Sequence, residues 1–108
     1  MKDRVEALGW LTGAPPNIYR NVGEMTHNQA VALVRRLYKW GVPEVIAVNI
    51  GASPDGSIES TDDLIAVLPS DLVARKRVIT WNNKRSYKMG YEAPTEDHGQ
   101  SHLLVWFD

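Results

Sequence analysis

Cysteine is absent from this chain of 108 residues. That removes disulfides, thiol catalysis and cysteine-type zinc sites, and it leaves the redox compartment undetermined. Net charge is nearly absent too. A formal −1 at pH 7 excludes bulk attraction to nucleic acid or membrane, but says nothing of local patches. No apolar run could span a bilayer, and Met1-Lys2-Asp3-Arg4 is not followed by an apolar stretch of signal-peptide length. A cytoplasmic location without membrane contact is the default expectation. Internal repeats, low-complexity tracts, glycine-rich phosphate loops, G-x-S-x-G and H-E-x-x-H are all missing. No motif carries a specific chemistry, so no cofactor is expected and catalysis is the least supported class of function.

What is present is an ordinary globular balance, 44% apolar and 23% charged residues, in a length suited to one domain over residues 1–108. The chain is organised around Thr26 to Leu68. Thr26 and Gln29 form a capping-box pair, in which each side chain serves an amide the helix cannot pair internally. Ala30, Leu33, Val34, Leu37 and Tyr38 then recur at helical spacing, with Arg35, Arg36 and Lys39 on the other side. Gly41 can close that helix in the left-handed conformation, and Pro43 forbids its continuation. Two β-branched segments follow, Glu44–Ile50 and Leu64–Leu68, joined across the turn signal Pro54-Asp55-Gly56. Their short connection predicts antiparallel pairing.

Residues 1–25 read as an N-terminal arm. Lys2–Leu11 fits either a short helix closed by Gly9 or a strand from Val5, and Gly13-Ala14-Pro15-Pro16-Asn17 is a polyproline-like bend. After Leu68, Pro69-Ser70-Asp71 predicts a helix start with Ser70 as cap, running from Asp71 to Lys84 or beyond. Val78-Ile79-Thr80-Trp81 alone would favour a strand. Tyr87–Gln100 reads as a loop. His102–Phe107 reads as a strand buried within the sheet, because five consecutive apolar residues are a hazard when exposed. The expected fold is α+β, an αββαβ core over 26–108 related to the ferredoxin-like arrangement. In it, two helices pack on one face of a mainly antiparallel three- or four-stranded sheet.

Three groups of residues are candidates for function. Four tryptophans exceed what one small core needs, and tryptophan and arginine are favoured interface anchors. Trp10, Tyr19, Arg36 and Trp40 are therefore the expected contact residues of a small interaction module that binds another protein or a second copy of itself. Arg75, Arg77, Lys84, Arg85 and Lys88 stand in an acid-free stretch with Trp81, Tyr87 and Tyr91 interleaved. Cations for phosphates and aromatics for bases are the parts of a single-stranded nucleic-acid or phosphate site over 75–91. The plainer alternative is a solvated helix face, with Trp81 in the core and the cations paired to Asp62, Asp63 or Asp71. His98 and His102, beside Glu96 and Asp97, could converge on a divalent metal in a small metal-dependent enzyme only if the loop bends to bring them together.

Overall fold

The computed structural model describes residues 4–90 and 94–107. Among the described residues ten elements follow one another: β1 (Val5–Glu6), α1 (Ala7–Thr12), β2 (Tyr19–Val22), α2 (His27–Lys39), β3 (Glu44–Val48), β4 (Gly51–Ala52), β5 (Ile58–Thr61), β6 (Asp63–Val67), α3 (Leu72–Lys88) and β7 (His102–Trp106). The fold is α+β. A four-stranded antiparallel sheet in the order β1-β3-β6-β7 forms the main layer, and a three-stranded sheet in the order β2-β5-β4 joins it. The αββαβ core from Thr26 onward is present as α2, β3, β6, α3 and β7.

β3 and β6 are the legs of one long hairpin. Val48 faces Asp63, and the same register continues to Gly51 facing Ser60 and Ala52 facing Glu59. The ribbon bends where Asn49 takes a positive φ of 55°. Beyond that bend its tip joins β2, which runs parallel to β5. Asp55 makes the turn by accepting from the Ser57 amide and from the hydroxyls of Ser57 and Ser53. The same bonds hold its carboxyl down at about 2.

The core lies on one face of the main sheet. Val45 and Ala47 of β3, Leu64 and Ala66 of β6, and Leu103 and Val105 of β7 are buried there, beneath Leu11, Ala30, Val34, Leu37, Val78 and Ile79 of the helices. The capping box on α2 is complete, with Thr26 Oγ1 accepting from Gln29 N and Gln29 Oε1 from Thr26 N.

Four sequence expectations are corrected. Residues 4–25 are not merely an arm, because β1, α1 and β2 put Ala7, Leu11 and Val22 into the core at 0% exposure. Of the expected segment Lys2–Leu11, Lys2 and Asp3 lie outside the described residues, and Val5–Leu11 is neither one helix nor one strand. Two strand residues lead into a helix that Glu6 caps by accepting from Leu8 N and Gly9 N, so Gly9 sits inside it. Asp71, not Ser70, caps α3, accepting from Ala74 N at 2.9 Å. The C-terminal strand is an edge strand, with Leu104 56% exposed beside buried Leu103 and Val105.

A helix side chain bonds to the backbone at each edge of the main sheet. Beyond the short β1, Val45 N donates to the Tyr38 hydroxyl, which in turn donates to Glu6. Burial opposes the Glu6 charge, but Tyr38 and the Gly9 and Leu8 amides outweigh it and hold that carboxyl below its ordinary value. Burial and the same bond push Tyr38 up to about 12. On the other edge, Asn82 Nδ2 donates to Leu104 O at 3.4 Å.

Candidate interaction surface

α2 and α3 contain no aspartate or glutamate, yet they hold nine of the twelve lysines and arginines. Their formal charge is +9, and the rest of the chain carries −10, which the whole-chain value conceals. Two ion pairs occur among the described residues. Arg20 meets Glu59 at 2.7 Å across β2 and β5, and Arg75 meets Asp97 at 2.6 Å. Arg35, Arg36, Lys39, Lys76, Arg77, Lys84 and Lys88 are exposed and are in neither pair.

On the outer side of α3, Leu72, Val73, Lys76, Arg77, Thr80, Trp81 and Lys84 line a shallow groove of about 640 Å³. Leu72 and Val73 are 77% and 73% exposed at its head. Spacings of three and four place these side chains on one stripe of the helix. Trp81 meets Trp40 edge-to-face at 6.1 Å, and the Arg77 guanidinium lies 5.9 Å from the Trp40 ring. The end of α2 is thus joined to the middle of α3.

The structure divides the expected contact residues. Tyr19 stacks near His27 at the first turn of α2. Trp10 on α1 lies under the Arg20 guanidinium at 5.5 Å, and its carbonyl accepts from Arg20 Nη1. Trp40 closes the far end of the 13-residue α2, about 20 Å along the axis. Arg36 is exposed in that last stretch. Trp40 and Arg36 therefore share a surface with Arg77 and Trp81, and Trp10 and Tyr19 belong to another.

Within the basic segment the residues separate by role. Arg75 is buried and committed to Asp97, through Nε at 3.2 Å and Nη2 at 2.6 Å. Its acid is not Asp62, Asp63 or Asp71. Arg75 and the Gly99 amide hold the Asp97 carboxyl at about 2. Arg85 is half-buried between the Trp81 and Phe107 rings, 5.5 and 4.3 Å from their centroids. Burial lowers its pKa. Trp81, held by Trp40 and Arg85, is half-buried. Tyr87 is 72% exposed, next to exposed Lys88, and Tyr91 lies outside the described residues.

His98 and His102 are both exposed. Among the described residues no three histidine, aspartate or glutamate side chains are gathered as a metal site would need. His102 bonds to the Ser101 hydroxyl, and the His98 amide donates to Gln100 Oε1.

Reasoning from the sequence alone missed a second surface. The main-sheet face opposite the core carries Ile46, Ile65, Val67, Leu104 and Trp106, none of which joins the core cluster, together with Val48, which is buried at 8% exposure. Burial alternates strictly along His102–Trp106, with Leu103 and Val105 inward and Leu104 and Trp106 outward, but the residue types do not, so the unbroken apolar run hid this face.

Together these features define a small α+β domain with a cationic helical layer and an apolar sheet face on opposite sides. Compared with models of protein families, with curated proteins and with solved structures, the chain matches none.

Proposed function

We propose that this chain is a non-enzymatic interaction module whose α2–α3 surface receives an acidic protein segment carrying apolar anchor side chains. One observation carries the reading: the acid-free α3 lines a groove that has an apolar head at Leu72 and Val73 and the cations Lys76, Arg77 and Lys84 along it, and the equally acid-free α2 beside it carries three more exposed cations. Cations on the rim attract the partner and orient it, and burial of apolar anchors against Leu72, Val73 and Trp81 supplies affinity. A single-stranded nucleic acid would use the same charge, but stacking needs open aromatic faces at the groove, where Trp81 is already held by Trp40 and Arg85, and the open Tyr87 is not among the groove's lining residues.

The test uses two labelled probes, a glutamate-rich amphipathic peptide with leucines on one face and an oligouridine of matching charge. Peptide binding is expected to weaken between about 50 and about 300 mM salt. Lys76→Glu combined with Arg77→Glu should weaken it about tenfold or more. Exchanging the peptide leucines for serine should also weaken it, because the anchors are lost. Tighter binding of oligouridine than of the peptide would replace this reading with the nucleic-acid one. No binding of either probe would remove both.

A further inference from the structure

We infer that two copies of the chain pair face to face through the uncovered side of β3, β6 and β7, with the two-fold axis running along β6. This surface lies on the far side of the sheet from the helical layer and stands independently of the partner proposed there.

The register supplies the argument. Three rows cross this face: Glu44–Val67–His102, Ile46–Ile65–Leu104 and Val48–Asp63–Trp106. Its helix-free side presents apolar side chains from each of the three strands, with Leu104 56% and Trp106 40% exposed. Uncovered apolar area of this kind marks an interaction site in a folded domain. The occupant follows from where the polar groups stand. Glu44 and His102 occupy the same row on opposite flanks of β6, about 10 Å apart, with Val67 between them. A two-fold axis along β6 keeps each row in place and exchanges its flanks. It sets Glu44 over His102 of the second copy, twice, and Ile46 over Leu104 of the second copy, twice. Ile65 and Val67 meet their own counterparts on the axis. An imidazole N–H donates to a carboxylate in either protonation state of the ring, so the pair forms a hydrogen bond whether or not the ring is charged. Asp63 also stands on the axis, opposite its own copy, and its carboxylate accepts from Asn49 Nδ2 at 2.9 Å.

Isologous pairing of two sheets about 10 Å apart, with strands within about 30° of each other, is a common way to bury such faces. Three strands of five residues span roughly 14 by 17 Å, well below the area of about 800 Å² per partner typical of stable complexes. The dimer is therefore weak and reversible.

Sedimentation equilibrium on the whole chain tests this. Wild type is expected to pass from 12.1 kDa to twice that mass as concentration rises. Leu104→Arg should hold it monomeric while leaving the circular dichroism spectrum and the peptide binding of the helical layer unchanged. Glu44→Lys and His102→Glu should each weaken the dimer about tenfold, and the double variant should recover most of the loss. Asp63→Asn, which removes a like-charged contact on the axis, should tighten it. A strict 12.1 kDa monomer up to about 1 mM would overturn the proposal. So would a dimer that survives Leu104→Arg but is lost in Lys76→Glu/Arg77→Glu, since the helical layer would then be the contact. Failure of the charge swap to recover would overturn the stated axis.

Discussion

Arg85 shows how a single side chain can be held without an acid. Its Nη2 donates to Asn82 Oδ1 at 3.1 Å, its Nη1 lies 3.3 Å from Met89 Sδ, and its Nε is buried with no hydrogen-bond partner among the described residues. Two aromatic faces stabilise the cation, while desolvation works against it. Arg85→Met keeps the packing and removes the orphaned donor. It should leave stability unchanged or raise it in urea denaturation, whereas Arg85→Ala should lower it by opening space between the rings. Asp97 behaves in the opposite way. Its carboxyl titrates at about 2 in the folded chain against an ordinary 3.8, and Asp55 is held similarly. A depressed folded value means stability that is complete above the ordinary value and is lost as protons are taken up. The melting temperature should therefore fall on acidification from about pH 4 to about pH 2. Asp97→Asn should flatten part of that decline and Asp55→Asn another part. Arg75→Lys should not restore the Arg75 role, because one ammonium cannot make both bonds.

At the scale of elements, α3 explains why its sequence pattern reads poorly. Its inward stripe is Arg75, Val78, Ile79 and Asn82, at regular helical spacing but only half apolar. Both polar members are satisfied, Arg75 by Asp97 and Asn82 by the Leu104 carbonyl. An apolar-periodicity test cannot see a stripe whose partners come from a distant loop and strand. Meanwhile Leu72 and Val73 face outward and blur the count. The glycines at two junctions separate strain from crowding. Gly41 has φ +103°, and an added Cβ would meet Ala74 Cβ at an ordinary 3.5 Å. Gly23 has φ +55°, and a Cβ there would fall 2.8 Å from Phe107 Cβ and 3.1 Å from its carbonyl oxygen. Gly41→Ala should cost about 1–2 kcal/mol of backbone strain. Gly23→Ala should cost about 1–3 kcal/mol more, because β2 and the end of β7 must separate. Urea denaturation of the two variants gives the comparison. Thr26→Ala, which removes the cap of α2, should cost about 1 kcal/mol in the same measurement.

For the whole molecule, the decisive property is the separation of charge, +9 on two helices against −10 elsewhere. A protein of net −1 is expected to bind weakly to both signs of ion exchanger. This one should be retained at low salt by a cation exchanger through its helical layer, despite a sequence pI near 6.3. Lys76→Glu with Arg77→Glu should weaken that retention, and earlier elution on a salt gradient reports it directly. The apolar sheet face and the cationic layer lie on opposite sides of the sheet, so a copy paired through one still presents the other. Occupancy of the two surfaces should be independent, seen as peptide affinity that does not change with chain concentration.

Local rules alone determined α2, with its cap and its glycine stop, along with the Asp55 turn, because each depends on residues within a few positions of one another; the antiparallel pair β3–β6 followed from the short connection that this turn closes. The start of α3 was legible for the same reason, to within one residue of its cap. Only the tertiary structure decided that Ala7, Leu11 and Val22 belong to the core, since short elements gain their stability from distant partners and leave little pattern of their own. It also decided that Arg75 is structural while Arg77 is exposed, and that Trp40 faces Trp81. Those outcomes depend on contacts across the fold, where neither residue type nor spacing specifies which of several acids or rings a side chain will meet.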